Sequence, residues 1–162
     1  MIEAAELIAE DKLKKAEPIL RDYLKDDPFC FRYVDGVGNI EINKLVDHHI
    51  NSKKLATLTA VQPPGRYGAL ELSGNSVKSF QEKPLGDNAW INGGFFILEP
   101  KVLSYIKSDK TFFEKQPLES LSKKGQLMAF KHKKTWQCMD TIRDKEVLES
   151  LWESGEKPWI KK

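Results

Sequence analysis

Ile91-Asn92-Gly93-Gly94-Phe95-Phe96-Ile97-Leu98, preceded by Gln81-Glu82-Lys83-Pro84, decides how the rest of the chain is read. The first run is apolar and of strand length, and it opens on two glycines that let a small ligand come close to the backbone. The second places a carboxylate beside an ammonium. A lysine suits a phosphate as a point charge, and the neighbouring carboxylate is a fixed acceptor for hydroxyls. An exposed Glu-Lys pair is also among the commonest surface dipeptides. Its setting argues for more: Pro84 locks the next φ angle, and Asp87 and Asn88 add polar groups before the glycines. Asn92 is open to two readings, a ligand contact or a turn residue entering the strand.

Working outward, two aspartates close apolar segments. Phe29-Cys30-Phe31 reads as the start of a buried strand entering Tyr33-Val34-Asp35, ended by a turn at Gly36 and Gly38. At the carboxyl end of a strand in an open α/β sheet, where ligands bind, Asp35 can hold Mg²⁺ through oxygen ligands beside phosphates. It can equally cap the Gly36 turn. Asp140 follows the short strand Trp136 to Met139 and precedes Thr141 and a helix, so it is a metal ligand or a helix N-cap. Carboxylates so far apart in sequence share an ion only if the folded sheet brings them together. In Pro63-Pro64-Gly65-Arg66-Tyr67-Gly68, Arg66 suits a bidentate phosphate contact or a surface ion pair, and Gly68 permits close packing.

Composition excludes several classes. Twenty-six basic against 24 acidic residues leave a net charge of +2, too little for a global field favouring nucleic acid or membrane. Lys133-Lys134 and Lys161-Lys162 are too short to change that. Cys30 and Cys138 give no disulfide framework and no metal spacing, and are expected reduced and buried. No apolar run reaches the roughly 20 residues of a membrane span, and the acidic start lacks the basic opening of a signal peptide; a cytoplasmic protein is expected. His48 and His49 point different ways on a helix and cannot share a metal as i, i+4 residues would. With His132 they are read as structural or solvated. Trp90, Trp136, Trp152 and Trp159 are read as packing residues, Trp90 being also a candidate wall beside Asn92.

The chain is the size of one domain. Residues 1–16 are rich in helix formers, and Pro18 is easier to place in the first turn of a second helix carrying Ile19, Leu20, Tyr23 and Leu24. Ile42 to Asn51 reads as a helix with Ile42, Leu45, Val46 and His49 on one side. Strands are expected at Ala56 to Val61, Gly68 to Leu72, Ser76 to Gln81, Ile91 to Leu98 and Leu127 to Lys131, with Ser73-Gly74-Asn75 as a hairpin turn. Lys101 to Ile106 and Gln116 to Ser122 read as short helices. Thr141 to Glu153 reads as a terminal helix with Ile142, Val147, Leu148 and Leu151 inward. The mixture predicts an α/β layered sheet with antiparallel additions.

Phe80-Gln81-Glu82-Lys83-Pro84, Ile91-Asn92-Gly93-Gly94-Phe95, Tyr33-Val34-Asp35-Gly36 and Trp136-Gln137-Cys138-Met139-Asp140-Thr141 together resemble the sugar-nucleotide pyrophosphorylases, a nucleotidyltransferase family. Arg143-Asp144-Lys145 points to the cytidylyltransferase branch acting on glucose-1-phosphate. The resemblance covers residues 19–162, leaving 1–18 as a helical segment without family likeness. It implies a Rossmann-like mixed sheet of the nucleotidyltransferase type. It also assigns roles: Asp35, Lys83 and Asp140 catalytic, Asp35 and Asp140 on Mg²⁺, and Arg66, Gly68, Glu82, Lys83, Asn92 and Gly93 on the sugar phosphate. Val34 stands where the family has glycine, and Arg32 is unusual within the strand. The family's Gly-Xaa-Gly-Thr-Arg loop and Lys-Pro-Lys-Pro segment do not occur, so the fold is expected to lack its N-terminal nucleotide-binding half. Glucose-1-phosphate is then the expected partner, with CTP only if a missing half is supplied, and a homo-oligomer is expected. The alternative is a non-catalytic sugar-phosphate-binding or oligomerisation module derived from the family.

Overall fold

The computed structural model describes residues 13–63, 65, 68–85 and 89–160. The readings placed on residues 1–12, Arg66, Asp87, Asn88 and Lys161-Lys162 lie outside the described residues. In chain order the elements are α1 (Leu13–Leu24), β1 (Phe29–Arg32), β2 (Gly36–Gly38), α2 (Ile42–Ser52), β3 (Ala56–Val61), β4 (Ala69–Ser73), β5 (Ser76–Gln81) and β6 (Ile91–Leu98). There follow a 3₁₀ helix (Pro100–Tyr105), α3 (Gln116–Lys123), β7 (Leu127–Lys131), β8 (Trp136–Cys138) and α4 (Ile142–Glu153).

Four strands form a sheet in the order β1-β6-β3-β7, while β2 pairs with β8 and β4 with β5 as separate ribbons. The central places go to β6 and β3 because their sequences are near-continuous apolar runs, the pattern of strands covered on both faces. Phe96, Ile97 and Leu98 of β6 and Ala56, Ala60 and Val61 of β3 are all buried. β6 is antiparallel to β3: Glu99 N–H donates to the Leu55 carbonyl at one end, and Gly93 abuts Thr59 and Val61 at the other. β7 is parallel to β3, with Ala56 N–H donating to Gln126 and His132 N–H donating to Ala60. The sheet is therefore mixed, as the sequence predicts.

The described residues fall into two compact units. One runs up to Phe31 and adds Asn43–Leu58 and Phe95–Ala129; the other comprises Arg32–Ile42, Thr59–Gly94 and Phe130 onward. In the first, the rings of Phe31, Phe96 and Phe113 meet at centroid distances of 5.5–5.7 Å, beside the fully buried Leu45, Val102 and Leu121. His49 is buried there too, its Nδ1 2.9 Å from the Thr57 hydroxyl and its Nε2 3.3 Å from Glu99 Oε1. The second unit has a smaller core around Ile40, Val61, His132 and Asp144.

In the β4–β5 ribbon Leu70 faces Phe80, Glu71 faces Ser79 and Leu72 faces Val77. Lys78 is thus an extra, bulged residue, and the bulge brings Val77 to the face that carries Leu72. Gly74, at φ +57°, makes the turn.

Several expectations need correction. Helix α1 runs unbroken through Pro18. The ring removes one backbone bond, and the neighbouring Ala16 is fully buried. β1 stops at Arg32 and is an edge strand, which leaves Cys30 exposed instead of buried. Ile42 is exposed, and only Leu45 and His49 of α2 are buried. The segment at Pro100–Tyr105 is 3₁₀, and α4 buries none of its apolar residues fully. Ile142 stands on the side of α4 opposite the Val147–Leu148–Leu151 stripe at 100° per residue, and is 78 % exposed.

Two outcomes follow. Replacing Leu121 by Ala leaves a cavity in a fully buried site and should cost about 3 kcal/mol, measurable as a lower midpoint in urea. His132 is held below its ordinary value of 6.5, by burial first and then by Lys134, against opposing pulls from the Thr135 carbonyl and Glu41. The folded chain therefore binds this proton less readily than the unfolded one, and stability is lost as pH falls below 6.5. The melting temperature should drop between pH 7.5 and 5.5, and His132→Phe should flatten that slope.

Candidate functional site

β2 and β8 bring the two aspartates together. Their antiparallel register pairs Gly36 with Cys138 and Gly38 with Trp136, and one step beyond the ladder Met139 N–H donates to the Asp35 carbonyl at 2.9 Å. Gly38 is needed for this approach, because a Cβ there would stand 3.0 Å from the Thr135 carbonyl and 3.3 Å from the Trp136 ring. Asp35 and Asp140 consequently line one cavity of about 370 Å³, together with Asn92, Gly93, Tyr33 and Trp136.

The Asn92–Gly94 wall is internally braced. Asn92 Oδ1 accepts from Gly94 N–H at 2.9 Å, so the amide nitrogen carries the side chain's remaining donors. Trp136 Nε1–H donates to the Gly93 carbonyl at 2.9 Å. The glycines serve packing as directly as ligand access: a Cβ on Gly93 would meet Val61 at 2.8 Å, and Gly94, at φ +74°, would meet Tyr33 at 3.0 Å. Val34 is 87 % exposed, so its branched side chain projects into solvent.

Asp140 is not the helix cap. That place belongs to Thr141, whose side chain accepts from Asp144 N–H while the Asp144 carboxylate accepts from Thr141 N–H. With the cap filled by its neighbour, the Asp140 carboxylate does not cap α4; its hydrogen-bond neighbour is the Cys138 thiol. Cys138 lies beside it, and its thiol is pushed up, by burial first and then by the negative charges of Asp140 and Asp144. This local negative field is what a cation between the aspartates would relieve. Both offer hard oxygen donors, which suits Mg²⁺ bound through one or two carboxylates and completed by water and phosphate oxygens. Among the described residues no group of three or more His, Cys, Asp and Glu forms a self-sufficient metal cage.

Glu82 and Lys83 are not among the residues lining that cavity. Both side chains are more than half exposed, and they face each other at 3.7 Å. Lys83 has φ +46°. Lys25 and Lys53 share that left-handed backbone just after helices, where it is routine; Lys83 follows a strand, where it costs energy and marks an over-determined position. Gly65 explains how it is held: a Cβ there would be 2.2 Å from the Pro84 carbonyl oxygen and 2.5 Å from Lys83 C. Gly68 lies against Phe80 and near Glu82 Oε2. The expected residues thus form two groups, Asp35, Asn92, Gly93 and Asp140 around the cavity, and Gly68, Glu82 and Lys83 at the base of the hairpin. Trp136 and Asp144 were missed as site residues. The Thr-Xaa-Xaa-Asp spacing signals the Thr141–Asp144 box; nothing local signals the indole contact.

Cys138 should be alkylated by iodoacetamide at pH 7.5 far more slowly than the exposed Cys30, because the raised thiol supplies little thiolate. Peptide mapping of the modified chain would check it.

Residues 7–153 match the nucleotidyl transferase family. Over 139 residues the chain is 53% identical to the glucose-1-phosphate cytidylyltransferase of Salmonella typhi, covering 85% of this chain and 54% of that protein. It is 32% identical over 145 residues to the mannose-1-phosphate guanyltransferase of Candida albicans, covering 84% and 38%. The chain thus spans about half the length of the Salmonella relative, and less of the other. The crystal structure of HddC from Yersinia pseudotuberculosis superposes with a TM-score of 0.60 at 22% identity, over 85% of this chain and 60% of that one, and shares the fold. With these likenesses, the mixed sheet and the cavity of Asp35 and Asp140, the chain belongs to the nucleotidyl transferase family.

Proposed function

We propose that this chain is the sugar-phosphate portion of a glucose-1-phosphate cytidylyltransferase. The observation that carries the reading is the meeting of Asp35 and Asp140 in one cavity with Asn92 and Gly93, although the two aspartates lie on elements far apart in the sequence. Support for the substrate comes from the likeness to the Salmonella enzyme of that name.

In the reaction a phosphate oxygen of glucose-1-phosphate attacks the α-phosphorus of CTP. The bond to the β-phosphate breaks, and CDP-glucose and pyrophosphate leave. Protein groups do little covalent work in such a displacement; they position reactants and neutralise charge. Asp35 and Asp140 would hold Mg²⁺, which would supply charge screening for the phosphate oxygens. Lys83 neutralises the sugar phosphate, while Glu82 and the Asn92 amide orient sugar hydroxyls. Arg66 contacts phosphate, and Gly68 and Gly93 let the ligand approach the backbone. CTP requires groups that this sequence does not supply, since no glycine-rich nucleotide loop occurs in it.

A second reading is a sugar-phosphate-binding or oligomerisation module without turnover of its own. Pyrophosphate release by the purified chain with CTP, Mg²⁺ and glucose-1-phosphate separates the two. For the sugar site, calorimetry should show Lys83→Ala weakening glucose-1-phosphate binding by about 10- to 100-fold, the loss of one charge-assisted contact. Unchanged affinity would remove Lys83 from the site under either reading.

A further inference from the structure

We propose that Asp144 is a positioning residue for the Asp35–Asp140 pair and not only the cap of α4; the inference rests on the reading of that pair given above. A cap needs little from this carboxylate. In a capping box the third helical residue reaches back to one backbone N–H, here that of Thr141. Asp144 does more. It is only 7 % exposed, and its two oxygens gather donors from both sides of Asp140. On the helix side are Thr141 N–H at 3.1 Å and the Thr141 hydroxyl at 2.8 Å. On the strand side are Gln137 Nε2 at 3.2 Å and Cys138 Sγ at 4.0 Å.

The strand-side contacts have no part in capping. Gln137 and Cys138 belong to β8, and Gln137 Nε2 also donates to the Cys138 carbonyl at 3.1 Å. One buried carboxylate therefore ties the end of β8 to the first turn of α4, and Met139-Asp140 is the short span between the two attachments. Met139 is also the residue whose N–H reaches the Asp35 carbonyl. Clamping the corner at Gln137 and Thr141 holds that backbone bond in place, and with it the positions of Asp35 and Asp140 on the wall of one cavity. A ligand pair held by a second layer of hydrogen bonds binds its ion more tightly than the same pair left free.

The test uses the whole chain, two variants at the clamp and one at the pair. Asp144→Asn removes the charge that gathers the donors. Gln137→Leu removes the strand-side arm and leaves the Thr141–Asp144 box intact. The first readout is hydrogen exchange at the Met139 amide. Both clamp variants should speed it tenfold or more, whereas loss of a helix cap alone would speed exchange in α4 and leave Met139 as it was. The second readout is Mn²⁺ titration by electron paramagnetic resonance, where both variants should bind about 10- to 100-fold more weakly. If Gln137→Leu changes neither Met139 exchange nor Mn²⁺ affinity, Asp144 is a cap and the proposal is overturned. Asp140→Asn separates the two claims. If it binds Mn²⁺ as the parent does, or if the parent binds none, the aspartate pair is not a metal site, and Met139 exchange still decides whether the clamp exists.

Discussion

The backbone bond from Met139 N–H to the Asp35 carbonyl is the constraint on which the site depends. The β2–β8 ribbon is three residues long on each side, and such a ribbon is marginal by itself. It persists because both ends are tied down. Gly38 admits the Thr135 carbonyl and the Trp136 ring at one end, and the Asp144 carboxylate gathers the corner at the other. The ribbon relates Asp35 to Asp140, which lie far apart in the sequence, directly through the backbone.

Trp136 links this ribbon to the other wall of the cavity. Its indole donates to Gly93, in the stretch where Asn92 accepts from Gly94. Each of these bonds ends on a glycine whose place against Val61 or Tyr33 no larger residue could take. The Asn92-Gly93-Gly94 sequence is thus fixed three times over: by the sheet beneath it, by the indole beside it and by its own turn. On the proposed reading, this bracing holds the Asn92 side of the cavity in place before a ligand arrives.

Periodicity and apolar runs made most of the fold legible. β6 runs from Ile91 to Leu98 as read, and β3, β5 and β7 fall where β-branched and apolar runs place them. What failed was whatever depends on neighbours distant in sequence. Cys30 looks like a core residue, but β1 is the edge of its sheet and leaves it exposed, while the Phe31 ring still packs on Phe96 and Phe113. Pro18 looks like a helix start, yet the helix runs through it from Leu13 to Leu24. At the site, the motif residues were visible and the groups that hold them were not. Asp140 read equally well as a cap until Thr141 was found in that place. Trp136 read as packing, because a donor to a backbone carbonyl leaves no local pattern. Lys83 read as a phosphate-binding candidate; its positive φ, beside the close approach of Gly65, is a tertiary fact.

The separation of acidic and basic groups also bears on how a phosphate could be received. Among the described residues, the lining of the cavity includes the carboxylates of Asp35 and Asp140 and no lysine or arginine. On the proposed reading a divalent cation held there would offset their charge for a phosphate. Lys83 is elsewhere, on a strained backbone at the base of a hairpin and already near Glu82 at 3.7 Å. An exposed pair at that distance contributes little to stability, so its ammonium can be given up to a ligand at small cost.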